Sequence, residues 1–521
     1  MDGTQVTGAF STGRRKIVQS LGQRYHRDKL AKLLSMTSFR DIVGMSWSAW
    51  AMQNGHADAA GKYMNFPPEA ADGEAGAKLV IYPWQLETLV NEALALQRRA
   101  DPRGRTLVTD DFSSILRLVK LVQRIEEADD GAFLQSNDVL YEMHRLTQRQ
   151  FEWQRGFANM PRFYRTLRTF GGSRTAEHFK RQVGCTIPEF IEAGFFLFAG
   201  STNSATRIWS SHHLLEGVTA EQRDLVLRRI STTPELASVE AAKLRLNGDH
   251  AGYKPSVLRK HPILRFGLEG REAMAPVPPL ILQRITSGLY FDIVDGGGAI
   301  WAEVGKQFEG YCLDYIGAML DAYRVAPETR YGPKGRGFDT PDILVSDDRA
   351  VRLAIECKAK RMPIDARFSG NPVREASGSY AEIAKGVFQV WRFFSHARRG
   401  IYGPPVAEDC LGMVVTSDPW LVMGQKLHPE VMAMANAMAD AGDPAIAEVD
   451  RRRVPIVLVD DLEYLLQHAP PEEMFVRLRA LSADASGWEW SLVHGLPAGS
   501  ERSYPFAREL GHMLPRAFAR E

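Results

Sequence analysis

The nineteen residues from Asp342 to Lys360, DILVSDDRAVRLAIECKAK, constrain the fold more than any other part of the chain. Ile343-Leu344-Val345 is a short apolar, β-branched run. Ser346-Asp347-Asp348-Arg349 has the composition of a polar turn, and Arg352 to Lys360 reads as a second strand. Together they predict an antiparallel hairpin. Side chains alternate across a strand, so Glu356 and Lys358 leave one face while Ile355 and Cys357 enter an apolar layer on the other. Asp342 opens the partner strand and falls across from Glu356. Asp347 and Asp348 are expected to be turn residues.

The placement of charge within this hairpin is unusual. Two carboxylates that converge on one point repel each other unless a cation sits between them. Hard oxygen ligands of this kind suit Mg²⁺, which takes one or two carboxylates and keeps several waters. A lysine beside such an ion can hold or deprotonate an attacking water, and the ion itself can act as a Lewis acid.

Pro341-Asp342, followed fourteen residues later by Glu356-Cys357-Lys358 with Leu353-Ala354-Ile355 leading into it, resembles the PD-(D/E)xK nuclease superfamily. The resemblance implies an α/β restriction-endonuclease-like core, a mixed sheet flanked by helices. In that scheme Asp342 and Glu356 bind the metal with the Cys357 backbone carbonyl as a third ligand, and Lys358 orients or activates the water. Asp339 competes with Asp342 for the metal role, but its place before Pro341 suits a turn cap better. Upstream, GKQFEGYCLDYIGAMLDAY puts Phe308, Tyr311, Cys312, Tyr315, Ile316, Met319, Leu320 and Tyr323 on one helical face. Glu309 lies at the edge of that stripe, at the position from which such nucleases offer a glutamate to the metal site. Downstream, Ser377 to His396 reads as an amphipathic helix with Tyr380, Ile383, Val387 and Trp391 inward. Lys385 and Gln389 share one of its faces, and the superfamily often places a Gln or Lys from this helix beside the site. The resemblance covers roughly residues 305–466.

With 521 residues the chain exceeds one ordinary domain of roughly 100–200 residues. Residues 1–280 are expected to form a mostly α-helical N-terminal domain, since apolar residues recur at helical spacing in Leu86, Leu89, Val90, Ala93 and Leu94 and again in Ile115, Leu118, Val119 and Val122. The stretch APVPP from Ala275, followed by Gly296-Gly297-Gly298, has linker composition and suggests the boundary. Residues 281–466 then hold the nuclease-like domain and 467–521 a helical extension. Met432, Met434 and Met438 read as helix core, and His212-His213 as structural.

A formal net charge of +1 means that any nucleic acid must be met by local basic groups rather than by a global field. Lys360, Arg361, Arg367 and Arg374 follow the hairpin closely and, with Lys385, are candidates for phosphate contacts. The glycine-rich segment from Tyr331 to Phe338 is a flexible loop near a phosphate on the same reading; it is not a P-loop, because no GKS/T follows. Between Arg145 and Arg181, nine Lys/Arg and two Asp/Glu alternate with Phe151, Trp153, Phe157, Phe163, Tyr164, Phe170 and Phe179. That pattern suits nucleic-acid binding, but aromatics in a helical core with arginines in water is the simpler account.

Cys185, Cys312, Cys357 and Cys410 form no CxxC pair, which argues against a zinc site or a disulfide framework. The first residues lack the apolar segment of a signal peptide, and Phe190 to Gly200 is too short to span a bilayer. These features predict a cytoplasmic protein with no membrane partner. GxSxG, HExxH and a Rossmann glycine fingerprint are absent. The expected activity is Mg²⁺-dependent phosphodiester hydrolysis, with Mn²⁺ able to substitute, on DNA in bacterial defence or repair. The N-terminal half would then recognise the target or a partner, and the chain would act as a homodimer or with a partner protein. Two alternatives are an RNA nuclease using the same chemistry and a non-catalytic nucleic-acid-binding or interaction protein on the same fold.

Overall fold

Five strands make the central sheet: β1 (Arg324–Pro327), β2 (Ile343–Ser346), β3 (Val351–Lys358), β4 (Val406–Thr416) and β5 (Ile456–Leu458). The computed structural model describes residues 22–96, 105–136, 139–208, 217–245, 255–267, 270–335, 337–420, 427–483, 492–496 and 502–518. Six helices position the site: α1 (Val139–Arg155), α2 (Met160–Phe170), α3 (Gly298–Met319), α4 (Ser377–Arg398), α5 (Leu427–Gly442) and α6 (Val459–His468).

The strands lie in the order β5-β4-β3-β2-β1. β1, β2 and β3 are antiparallel neighbours, and β3, β4 and β5 are parallel. Parallel neighbours need a crossover, which α4 supplies between β3 and β4 and α5 between β4 and β5. The molecule is therefore mixed α/β. β3 is central, and its apolar residues are covered on both faces. Ile343, Val345, Leu353, Ile355 and Cys357 pack with α3 and α6, whereas Leu344, Ala354 and Val414 pack with α4 and α5. The helical stripes expected on α3 and α4 are the buried ones: Phe308, Tyr311, Tyr315 and Ile316 on the first, Tyr380, Ile383, Val387 and Trp391 on the second. Met432, Met434 and Met438 on α5 pack, partly buried, against the same layer as α4.

The boundary expected near residue 280 is not a break in the packing. One apolar cluster runs from Phe157 through α3 and the sheet to the C-terminal stretch, where Met474, Leu478, Leu492, Leu510 and Leu514 are built into the core. A second cluster gathers Leu30 to Ile125 with residues up to Leu280. Nor is APVPP a surface linker. Pro276, Val277 and Pro278 are buried, and Pro279 opens the helix Pro279–Ile285, where a missing N–H costs nothing. Likewise Gly297, at φ 77°, turns the chain into α3. The first half is mostly helical, with a small sheet of Arg207–Ile208, Ser231–Thr232, Ile263–Phe266 and Glu272–Met274. Strands this short carry too few residues to display a period of two. His212-His213 lies outside the described residues.

The basic, aromatic stretch resolves into α1, α2 and Ser173–Val183. Phe157, Phe163, Tyr164 and Phe179 are core residues. Three of its arginines turn inward onto the acidic start of α6. Arg155 pairs with Asp461, Arg162 with Asp460, and Arg165 with both Asp460 and Glu463. The acids there suit a helix N-terminus, where the dipole favours negative charge. These guanidinium groups are internal ties, which corrects the picture of arginines standing in water and leaves few of them for a nucleic acid. Among the described residues no single helix is long and apolar enough to cross a membrane.

Candidate active site

The register of the hairpin creates the site. Ile343 pairs with Ile355, which puts Asp342, one residue before β2, beside Glu356. Asp342 Oδ2 accepts a hydrogen bond from the Cys357 N–H at 2.7 Å, fixing that carboxylate at the end of the sheet. Glu356 projects from β3 toward α4 into an otherwise apolar layer and is 0% exposed. Its Oε2 accepts from Lys358 Nζ at 2.9 Å, while its Oε1 is buried with no protein partner. Lys358 Nζ also donates to Gln389 Oε1 on α4, at 3.1 Å. One turn earlier on α4, Gly386 makes this approach feasible. A Cβ there would lie 3.1 Å from Lys358 Cε and 3.2 Å from Val414 Cγ2.

Burial pushes the Glu356 carboxyl up to about 8, and repulsion from Asp342 adds to the effect while Lys358 works against it. Burial alone would lower the Lys358 ammonium, but the Glu356 carboxylate outweighs it and holds the value above the ordinary one. The site therefore contains a glutamate that resists ionising until further positive charge arrives. Glu328, in the turn after β1, is likewise raised by burial and then by Asp342 and Asp339. Sequence reasoning missed Glu328, since ProGluThr in a loop carries no periodic signal. Gly386 was missed for a similar reason: only packing reveals what a glycine makes room for.

The structure thus brings Asp342, Glu356, Lys358 and Gln389 together. Glu309 lies on the same side of α3 as the site, but its carboxylate accepts from Lys306 Nζ at 2.7 Å. Among the described residues, no three His, Cys, Asp or Glu side chains converge closely enough to hold a metal by themselves. Glu309, expected as a metal ligand, is paired with Lys306 of the same helix and lines the space beside Lys358. The Cys357 side chain is buried against α3. Its N–H points toward Asp342, and in a strand the carbonyl of the same residue points to the same edge. Asp339 is exposed on the short strand Phe338–Asp339, 3.9 Å from Arg330. Asp347 closes the β2–β3 turn by accepting from the N–H groups of Arg349 and Ala350.

A cavity of about 1090 Å³ opens beside Lys358. Lys360, Arg361 and Arg367 line it, together with Lys306 and Glu309 of α3; Lys385 is exposed on α4 outside this lining. Arg367 is tied to Asp418 at 2.7 Å, and Arg374 is exposed beside Glu375. Tyr331 and Phe338 pair across a short two-stranded ribbon and pack on His396 of α4. The far wall of the cavity comes from the N-terminal half, through Trp84, Glu87, Arg149 and Arg259. Compared with protein-family models, with curated proteins and with solved structures, the chain matches none.

Proposed function

We propose that the chain is a Mg²⁺-dependent nuclease of the PD-(D/E)xK type that hydrolyses phosphodiester bonds, with DNA as its first candidate substrate. The observation that carries this reading is the buried, partnerless Glu356 Oε1 beside Asp342, with Lys358 held over the same carboxylate. Ionising Glu356 in this dry site costs several kcal/mol unless added positive charge balances it, so in the metal-free protein the group holds its proton and a bound cation would release it. A purely structural or binding role gives no use for two adjacent carboxyl groups and a lysine gathered at the end of β3, which disfavours the non-catalytic alternative. The order of helix α3, antiparallel β1 to β3, crossover α4 and parallel β4 supports a restriction-endonuclease-like core.

The donor set fits a hard divalent ion. Asp342, Glu356 and the Cys357 carbonyl would hold it, with Glu309 reaching it through water. Bound there, the ion supplies Lewis acidity and makes a coordinated water a better nucleophile. Glu356 would ionise as that positive charge arrives. Lys358 would then orient the attacking water and offset charge growing on the phosphate oxygens. Gln389 is a positioning residue, holding the Lys358 ammonium from the α4 side. Mn²⁺, with similar oxygen preference, would substitute.

The test incubates purified protein with linear, circular and single-stranded DNA and with RNA, in Mg²⁺ or EDTA, beside Glu356→Ala and Lys358→Ala. Cleavage should require Mg²⁺ and fall by roughly 10²–10⁴-fold in each variant. Cleavage that persists in EDTA or in both variants refutes the mechanism. Cleavage confined to RNA reassigns the substrate and keeps the chemistry.

A further inference from the structure

We propose that the cavity beside Lys358 binds a single-stranded stretch of nucleic acid, so that the site acts on unpaired strands or frayed ends rather than on intact duplex. The proposal deepens the nuclease reading and rests on it for the location of the scissile phosphate.

Three observations carry it. The first is enclosure. Glu356 is fully buried, and the space reaching the end of β3 is the cavity formed between the hairpin, α3 and the N-terminal helix Pro83–Ala95. It is a cleft of about 1090 Å³, walled on one side by the end of β3 and α3 and on the other by Trp84, Glu87 and Arg259. A few unpaired nucleotides can bend into such a cleft, whereas a duplex, stiff over about 150 bp, bends only at a cost.

The second is a stacking surface. Trp301, in the first turn of α3, and Tyr290 line the cavity with ring centroids 5.6 Å apart, and both are only partly buried. Trp301, Gly305 and Glu309 recur at intervals of four along α3, so one helix face carries both the ring and the carboxylate toward the site. Flat rings beside a phosphate path give unpaired bases a sequence-tolerant platform.

The third is spare positive charge. Arg259, on the far wall, is neutralised by Glu87 and Glu152. Arg361 is less tightly held: its guanidinium donates to the Ser287 carbonyl at 2.9 Å and lies 4.3 Å from the Tyr290 ring centroid, and Asp418 and Glu152 act on it without a close ion pair among the described residues. Lys360 is exposed on the same wall, also without an ion pair among the described residues. Both follow Lys358 within three residues, at most about 10 Å of chain. A phosphate held there belongs to the same strand as the phosphate facing Lys358.

The experiment measures binding by fluorescence anisotropy in EDTA, using labelled oligodeoxythymidylate, oligouridylate and a blunt hairpin duplex with the full-length protein. Single strands should bind at least about tenfold more tightly than duplex. Trp301→Ala should weaken single-strand binding by about tenfold, and Trp301→Phe, which keeps a ring, should restore most of it. Lys360→Gln, at an exposed position where folding is not at stake, should lower the slope of log Kd against log salt by about 0.7. Duplex binding equal to single-strand binding, or single-strand affinity unchanged in both Trp301→Ala and Lys360→Gln, overturns the proposal. The two oligonucleotides separate DNA from RNA as the source of the strand. Selective single-strand binding without any Mg²⁺-dependent cleavage keeps this pocket and removes the nuclease reading. Glu356-dependent cleavage of blunt duplex without single-strand preference does the reverse.

Discussion

Glu356 is the residue on which most of the chemistry depends, and its environment makes a prediction about pH. Its carboxyl is raised to about 8 by burial, against about 4.3 for a glutamate in an unfolded chain. Between those values the folded, metal-free protein retains a proton that the unfolded chain has released. Stability must therefore fall as pH rises through that window, by at most about 1.4 kcal/mol per pH unit. Glu356→Gln removes the slope. In EDTA, the Tm of the wild type should drop relative to that of Glu356→Gln between about pH 5 and pH 8. Parallel Tm profiles would show that Glu356 is ionised throughout. Gly386 gives a second test. Gly386→Ala places a methyl against Lys358 Cε and Val414, so the ammonium must shift away from Gln389. The expected cost is about 1–3 kcal/mol of stability, with activity falling by roughly tenfold or more. Denaturant unfolding and initial rates check the two halves of this prediction. Activity at the wild-type level would mean that Lys358 tolerates displacement. Asp342, Glu356 and Lys358 were legible in the sequence, because strand alternation is a local rule, whereas Gln389 came with Lys385 from the resemblance to the nuclease superfamily, and only the structure separates the two. Gly386 and Glu328 were not legible, since their roles come from neighbours far away in the chain.

Among the elements, the contact of α2 with α6 deserves its own test. Arg165 spans Asp460 and Glu463, all three largely buried. Burial alone would lower the Arg165 guanidinium, but the two carboxylates outweigh it and hold it well above its usual range. Arg165→Ala leaves two buried carboxylates short of a partner, and the expected loss is about 3–5 kcal/mol by chemical denaturation. A loss under about 1 kcal/mol would place the pair in effectively aqueous surroundings. The arginine-rich stretch also shows where periodicity misleads. It identified the helices and their aromatic core, but a polar helix face has the same pattern whether it meets water or an acidic partner. Asp460, Asp461 and Glu463 lie about 300 residues further on, and only folding brings them to Arg155, Arg162 and Arg165.

At the scale of the whole molecule, the continuous core predicts that the two halves do not fold apart. Phe163, Phe190 and Leu197 share one apolar cluster with Tyr311, Ile355 and Leu466. A fragment of residues 281–521 would expose that surface. It should bind a hydrophobic dye and unfold without a cooperative transition, whereas the full chain unfolds cooperatively. A soluble fragment with a sharp transition would restore the boundary at 280.

The sequence by itself determined the hairpin, the two flanking helices, the face of β3 shared by Glu356 and Lys358, and Asp342 opposite them. These follow from backbone geometry, in which alternation and helical spacing act within a few residues. Tertiary structure decided the rest. It buried the proline-rich stretch, turned Arg155, Arg162 and Arg165 inward and set helices of the first half across the cavity from Lys358. Each of those outcomes depends on which surfaces meet, and that is fixed by the free energy of burying them together rather than by any local pattern.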